Sequence, residues 1–157
     1  MILNLSKKNK ELTNIDLLGF AENFGKPLYV YEGEKITSQY KRLTSAFAKV
    51  NNLRINYAAK ALSNVSVLKF MRHLGAGLDT VSIQEVHLGL NAGFEPKAII
   101  YTPNGVSLNE IENVAKLGVQ INIDNLSLLE QFGTRHPKTP VCIRINPHVM
   151  GGGNSNI

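Results

Sequence analysis

The feature that most constrains this chain is a regular alternation of short apolar strands and amphipathic helices. From Leu53 onward, the predicted strand centres recur about every twenty residues, the length that a strand and a crossover helix need before the next parallel strand. This alternation predicts an α/β fold on a parallel sheet. The predicted strands are 53–59, 77–81, 98–102, 119–124 and 141–146, and the predicted helices are 35–49, 64–74, 83–91, 107–117 and 126–132.

Two architectures fit the alternation, a (β/α)8 TIM-type barrel and an open doubly wound sheet. The open sheet is favoured by a Gly-x-Gly-x-x-Gly turn after the first strand, but Lys60-Ala61-Leu62 stands there. We therefore favour the barrel. Since only about five of its eight strands can be found, the barrel is predicted to be incomplete and the chain to be the front part of a longer protein.

Local signals refine two of these elements. Ser107 is the predicted N-cap of its helix, with Glu110 at the capping-box position. The single cysteine, Cys142, lies in an apolar run and has no partner within the chain, so a buried and inert thiol is expected.

Composition excludes several classes of function. The net charge of +5 comes from scattered lysines and arginines, without aromatic-basic interleaving, a Walker loop or zinc spacing. These observations argue against a nucleic-acid partner and a metal site. The first residues contain neither a signal peptide's apolar region nor a membrane span, so we expect a cytoplasmic protein without a membrane partner.

The residues suited to chemistry lie at the predicted strand ends, where barrel enzymes place their active sites. Lys60 ends the first strand between two alanines, which leave room for a ligand beside its amine. An amine in such a place can react with a carbonyl group, whereas the alternative is a solvated surface charge. The other residues at or near strand ends are Asp79, Thr102, Asp124 and Arg144.

Several sequence blocks resemble one family of enzymes. The segment 56–64, NYAAKALSN, resembles the Tyr-Ala-x-Lys-Ala-Asn-x-Asn motif of the alanine-racemase-like fold of pyridoxal-phosphate enzymes. Leu62 replaces the usual asparagine, and Thr102-Pro103-Asn104 departs from the commoner Thr-Gly-Asn turn. Further blocks resemble segments of the diaminopimelate decarboxylases and keep the same order and similar spacing. They are 24–31, 75–85, 92–94, 100–105, 123–125 and 143–147.

The resemblance implies a pyridoxal-phosphate-dependent carboxy-lyase that converts meso-diaminopimelate to lysine. It implies that Lys60 holds the cofactor and assists proton movement, and that Asp79 lies beside both. Arg144 resembles an arginine near the cofactor, and Glu85 a carboxylate that supports the site from a helix. The alternative for Asp79 is a solvated or helix-capping aspartate. For Arg144 it is a salt bridge across the barrel, and for Glu85 an exposed helical glutamate.

The resemblance also implies a domain organisation. Residues 1–34 are expected to lead from a missing β-rich domain, with 24–31 running as a strand, and residues 35–157 to form an incomplete cofactor-binding barrel. The full-length enzyme is expected to be a homodimer, and the isolated chain to be inactive. The alternatives are a decarboxylase of ornithine, arginine or carboxynorspermidine, and a non-catalytic protein that binds pyridoxal phosphate.

Overall fold

The structure, a computed structural model, describes residues 16–145 of the chain. By compactness the chain divides into a unit of residues 1–39 and a unit of residues 40–157. The predicted final strand position at Asn146 and the glycine-rich tail lie outside the described residues. The boundary predicted at residues 34 and 35 stays a prediction.

Within residues 16–145, five parallel strands form one sheet in the order of the sequence. A doubly wound sheet reverses its strand order at a switch point, and this sheet has no reversal. The barrel prediction is therefore confirmed as the arc of a (β/α) barrel, with strands shorter than predicted. The strands are β1 (Asn56–Ala58), β2 (Gly77–Thr80), β3 (Ile99–Tyr101), β4 (Gln120–Ile123) and β5 (Cys142–Ile143).

Each predicted helix is present, and the structure adds one. The helices are α1 (Leu17–Phe24), α2 (Gly33–Ala46), α3 (Val65–His73), α4 (Ile83–Asn91), α5 (Leu108–Ala115) and α6 (Leu126–Arg135). The unpredicted helix is α1, which begins where the Asp16 carboxylate accepts a hydrogen bond from the Gly19 amide at 2.8 Å. Residues 24–31, expected to run as a strand, do not form one, because Phe24 ends α1 and residues 25–31 pair with no strand in the described part of the chain.

The helices that follow strands begin at side-chain caps. The caps are Asn64 for α3, Ser82 for α4, Ser107 for α5 and Asn125 for α6, and each accepts at least one amide hydrogen bond. These caps stop each βα loop at a defined residue. Ser107 accepts from the Glu110 amide as predicted, but the Glu110 carboxylate accepts instead from the Tyr101 hydroxyl at 2.6 Å.

The core lies between the sheet and the helices. Alternate strand residues are buried there, among them Leu78, Ile99, Tyr101, Ile121 and Ile123, each at most 2% exposed. Because side chains alternate along a strand, their neighbours point to the opposite side, which we call the inner face.

The expectation of a buried Cys142 was wrong, because the cysteine is exposed. The Gln120 side chain, also exposed, donates to its sulfur at 3.3 Å, so the two residues lie together on the inner face. An apolar run is therefore no guide to the burial of a residue that points away from the helices.

Candidate functional site

Lys60 lies just beyond the carboxyl end of β1. The strand stops at Ala58 and continues as a single 3-10 turn, Ala59–Ala61, in which Ala59 is fully buried and Lys60 is exposed. The Tyr57 hydroxyl donates to the Leu62 carbonyl at 3.2 Å and so braces the turn. The amine therefore projects from a fixed turn at the end of the sheet where the strands of barrel enzymes carry their active sites.

Asp79 stands on the neighbouring strand, at the same end of the sheet. It is the register partner of Ala58, two residues before Lys60. Its side chain is half-buried, and its Oδ1 accepts a hydrogen bond from the Thr102 hydroxyl at 3.1 Å. The first two strands thus place a lysine and an oriented carboxylate at the same end of the sheet.

Polar side chains continue across the inner face from β2 to β5. Thr102 Oγ1 accepts from Asn122 Nδ2 at 3.0 Å, and Gln120 Nε2 lies 3.4 Å from Asn122 Oδ1. The same Gln120 nitrogen donates to Cys142. We call Asp79, Thr102, Asn122, Gln120 and Cys142 the polar row.

Glu85 lies in the first turn of α4, close to the end of β2. Its Oε2 accepts from the Val81 amide at 2.8 Å, while its own amide donates to the Ser82 hydroxyl at 3.3 Å. The side chain therefore fixes the loop that follows Asp79. Whether it also supports a bound cofactor stays a prediction.

Arg144 follows β5 and is exposed. Its amide donates to the Ile123 carbonyl at 2.9 Å, which extends the pairing of β5 with β4. It is thus held by its backbone on the far side of the polar row from Lys60. Its role at a cofactor stays a prediction.

Thr102 stands at a predicted strand end, whereas no role was predicted for Asn122 or Gln120. A signal was present, because Asn122 is the polar residue between two isoleucines in a strand with one buried face. The contacts of Thr102 with Asp79 and Asn122 depend on the register between the paired strands, which the sequence alone does not reveal.

A cavity of about 500 Å³ opens beside the carboxyl ends of β3 and β4. Residues Asn104 to Val106 line one side, and Asp124, Asn125 and the start of α6 line the other. Asp124 therefore contributes to the rim of the strand ends.

Residues 16–145 contain no helix long and apolar enough to cross a membrane. Across the same residues, no group of three or more His, Cys, Asp or Glu side chains is arranged to hold a metal ion.

Comparison with known proteins agrees with this geometry. Residues 33–156 match the family described as "Pyridoxal-dependent decarboxylase, pyridoxal binding domain". The diaminopimelate decarboxylase of Methanothermobacter thermautotrophicus is 35% identical over 139 residues, which cover 87% of this chain and 32% of that protein. The chain thus spans about a third of the length of the curated relatives that it matches.

Among solved structures, the chain is also similar to decarboxylases. Helicobacter pylori diaminopimelate decarboxylase, complexed with L-lysine, has a TM-score of 0.67 and 32% identity, covering 83% of this chain and 35% of that one. Vibrio vulnificus lysine/ornithine decarboxylase, complexed with putrescine, has a TM-score of 0.73 and 26% identity, covering 90% and 37%. The chain belongs to the pyridoxal-dependent decarboxylase family, of whose pyridoxal-binding domain it carries a part between residues 33 and 156.

Proposed function

We propose that this chain is part of a pyridoxal-phosphate-dependent diaminopimelate decarboxylase, acting in lysine biosynthesis in the cytoplasm. The observation that carries the proposal is the placement of Lys60 beyond the end of β1, next to the strand that bears Asp79. This pair lies in the barrel arc of a family defined by pyridoxal-dependent decarboxylation.

The described residues fit an aldehyde cofactor that carries a charged ring. Lys60 supplies an exposed primary amine, and Ala58 and Ala61 beside it are too small to obstruct a ring. Asp79 supplies a carboxylate whose orientation is fixed by Thr102. An amine and an oriented carboxylate on adjacent strands are the groups that such a ligand needs.

The residues of this chain then have distinct tasks. Lys60 would hold the cofactor through its amine, and the same Nζ is suited to moving a proton to or from the substrate. Asp79 presents its carboxylate at the same end of the sheet, and Glu85 holds the loop after Asp79 in place. Arg144 is proposed to contact the cofactor from the end of β5. When bound, pyridoxal phosphate supplies an electron sink for the bond that breaks as carbon dioxide leaves.

The choice of diaminopimelate as substrate rests on the relatives. Enzymes named diaminopimelate decarboxylase are 31–38% identical to this chain in several organisms. Lysine is the product of that reaction, and the Helicobacter pylori enzyme was crystallised with L-lysine. We further propose that the complete enzyme is a homodimer.

A second candidate is a decarboxylase that accepts ornithine or lysine. It is favoured by the likeness to the Vibrio vulnificus lysine/ornithine decarboxylase, whose TM-score of 0.73 is no lower than that of the Helicobacter pylori enzyme. The barrel arc alone therefore does not select the substrate.

The test is a decarboxylation assay of the complete open reading frame that contains this sequence. Carbon dioxide release is measured with meso-diaminopimelate, ornithine, lysine, arginine and carboxynorspermidine, each with added pyridoxal phosphate. We expect release from diaminopimelate, its loss in Lys60→Ala, and its retention in Lys69→Ala, a matched change at an exposed lysine of α3. Release from ornithine or lysine, without release from diaminopimelate, would favour the second candidate. An active Lys60→Ala variant would contradict both candidates.

A further inference from the structure

The polar row gives Asp79 a support that reaches across two further strands. Thr102, at the end of β3, contacts both the Asp79 carboxylate and the Asn122 amide of β4. We propose that Thr102, supported by Asn122, is the positioning residue that fixes the Asp79 carboxylate for cofactor binding. This inference rests on the proposed function, because it assigns Asp79 to the cofactor site.

The chemistry of the three groups dictates the direction of these hydrogen bonds. An ionised carboxylate can only accept, so the single hydroxyl proton of Thr102 points to Asp79 Oδ1. The Thr102 oxygen then has only lone pairs left for Asn122, which must present its NH₂ group, as the 3.0 Å contact from Nδ2 has it. The charge of Asp79 thus determines which way the Thr102 hydroxyl and the Asn122 amide point. In return, their hydrogen bonds restrict the rotation of the Asp79 side chain.

The backbone makes this support rigid. The Thr102 amide donates to the Thr80 carbonyl at 2.7 Å, which ties the threonine to the strand of Asp79. Asn122 is held between Ile121 and Ile123, which are 1% and 2% exposed in the core. The backbone of neither residue can therefore turn away from the inner face without breaking the pairing of the sheet or exposing core residues.

The consequence is a carboxylate with few available rotamers. Without the Thr102 hydroxyl, Asp79 is free to rotate on an open face, and its charge is no longer fixed relative to Lys60. The entropic cost of ordering the Asp79 side chain is then paid when the cofactor binds, and this cost weakens binding. Hydrogen bonds to charged groups are strong enough that losing this one should weaken cofactor binding about tenfold.

The experiment measures the dissociation constant of pyridoxal phosphate by absorbance titration of the complete open reading frame in its cofactor-free form. Thr102→Val removes the hydroxyl and keeps the shape, and Thr102→Ser restores the hydroxyl. We expect binding about tenfold weaker for the valine variant and near the wild-type value for the serine variant. The matched control is Thr80→Val, because the Thr80 hydroxyl donates to the Ile100 carbonyl on the helix side and should matter for stability only.

A double-mutant cycle shows whether Thr102 acts through Asp79. In an Asp79→Ala background, Thr102→Val should cause little further loss, whereas an equal loss in both backgrounds would overturn the proposal. So would a valine variant that binds like the wild type, or a serine variant as weak as the valine variant. If the valine variant does not fold, Asn122→Leu replaces it, with a smaller loss expected, and wild-type binding by that variant would overturn the assignment. A wild-type protein that binds no pyridoxal phosphate would instead reject the proposed function.

Discussion

Glycine at position 89 permits α4 to pack closely on the sheet. A β-carbon there would meet Leu78 Cδ2 and lie 3.2 Å from Ile99 Cδ1, and both of these side chains are fully buried. We expect Gly89→Ala to lower the free energy of unfolding by about 1 kcal/mol, because overpacking outweighs the gain in helix propensity. Urea denaturation measures the change.

Gly133 is the matched control for that substitution. It lies in α6, is exposed, and has nothing within 4 Å of an added β-carbon. Gly133→Ala should therefore raise the free energy of unfolding by about 0.5–1 kcal/mol. Equal effects at both glycines would show that helix propensity alone, without the contact to Leu78, determines the result.

At the level of residues, the sequence predicted the positions that follow from strand ends. Lys60 and Asp79 lie at or near the carboxyl ends of β1 and β2, as the apolar runs predicted. The contacts of Thr102 with Asp79 and Asn122 could not be predicted, because they depend on the register between three strands. Cys142 was misjudged for the related reason that two apolar neighbours do not reveal which face of the sheet a residue points to.

The elements are held together by a buried tyrosine. Tyr101 of β3 donates to Glu110 of α5, whose Oε1 also lies 3.4 Å from the Ile83 amide at the start of α4. Tyr101→Phe leaves this carboxylate with one partner fewer and should lower the free energy of unfolding by about 1–3 kcal/mol. Tyr29→Phe, at a side chain that is 82% exposed, is the control and should have little effect.

The same tyrosine predicts a dependence on alkaline pH. Burial, together with the hydrogen bond to Glu110 and its charge, raises the Tyr101 pKa above its usual value of 10.0. In the unfolded chain the phenol loses its proton near its usual pKa, so this contribution to stability is present below pH 10.0 and falls as the pH rises further. The stability difference between wild type and Tyr101→Phe should shrink there, and a difference that grows would contradict the assignment.

A second contact joins α5 to the end of α6. Glu112 accepts from His136 Nε2 at 3.1 Å and from Arg135 Nη1 at 3.3 Å. The hydrogen bond from His136, with the Arg135 contact and both charges, lowers the Glu112 pKa although partial burial opposes this. The contribution to stability is therefore present above the usual glutamate pKa and is lost as the pH falls through the lowered value.

Glu112→Gln tests this contact. The variant should melt at a lower temperature than wild type at neutral pH, and the two should converge in acid. Thermal unfolding followed by circular dichroism across the pH range measures the gap. Glu130→Gln, at an exposed glutamate of α6, should show no such convergence. A gap that widens in acid would contradict the assignment.

At the level of elements, periodicity and caps predicted the β and α order of the barrel arc. They missed α1, although Leu17, Phe20 and Phe24 fall at helical spacing and Asp16 caps the helix. They also gave Glu110 a local role in its own helix, whereas the folded chain places the Tyr101 hydroxyl within reach of the carboxylate. The partner of such a side chain is determined by contacts between elements, which local sequence signals do not reveal.

For the whole molecule, the described sheet has an exposed last strand. Ile143 and Ile145 are 60% and 80% exposed at the β5 side. An apolar strand edge of this kind promotes association. We expect the 157-residue chain alone to self-associate, to bind pyridoxal phosphate weakly and to release no carbon dioxide from diaminopimelate. Light scattering, titration and the decarboxylation assay check this, and a monodisperse chain with robust turnover would refute it.

The proposed function depends on one amine, that of Lys60, which is proposed to hold the cofactor. The most direct measurement is borohydride reduction of the complete, cofactor-loaded protein, which fixes the cofactor to the lysine that carries it, followed by peptide mapping with mass spectrometry. We predict the cofactor's mass on the peptide that contains Lys60. Its attachment at Lys69 or Lys97 instead would contradict the account.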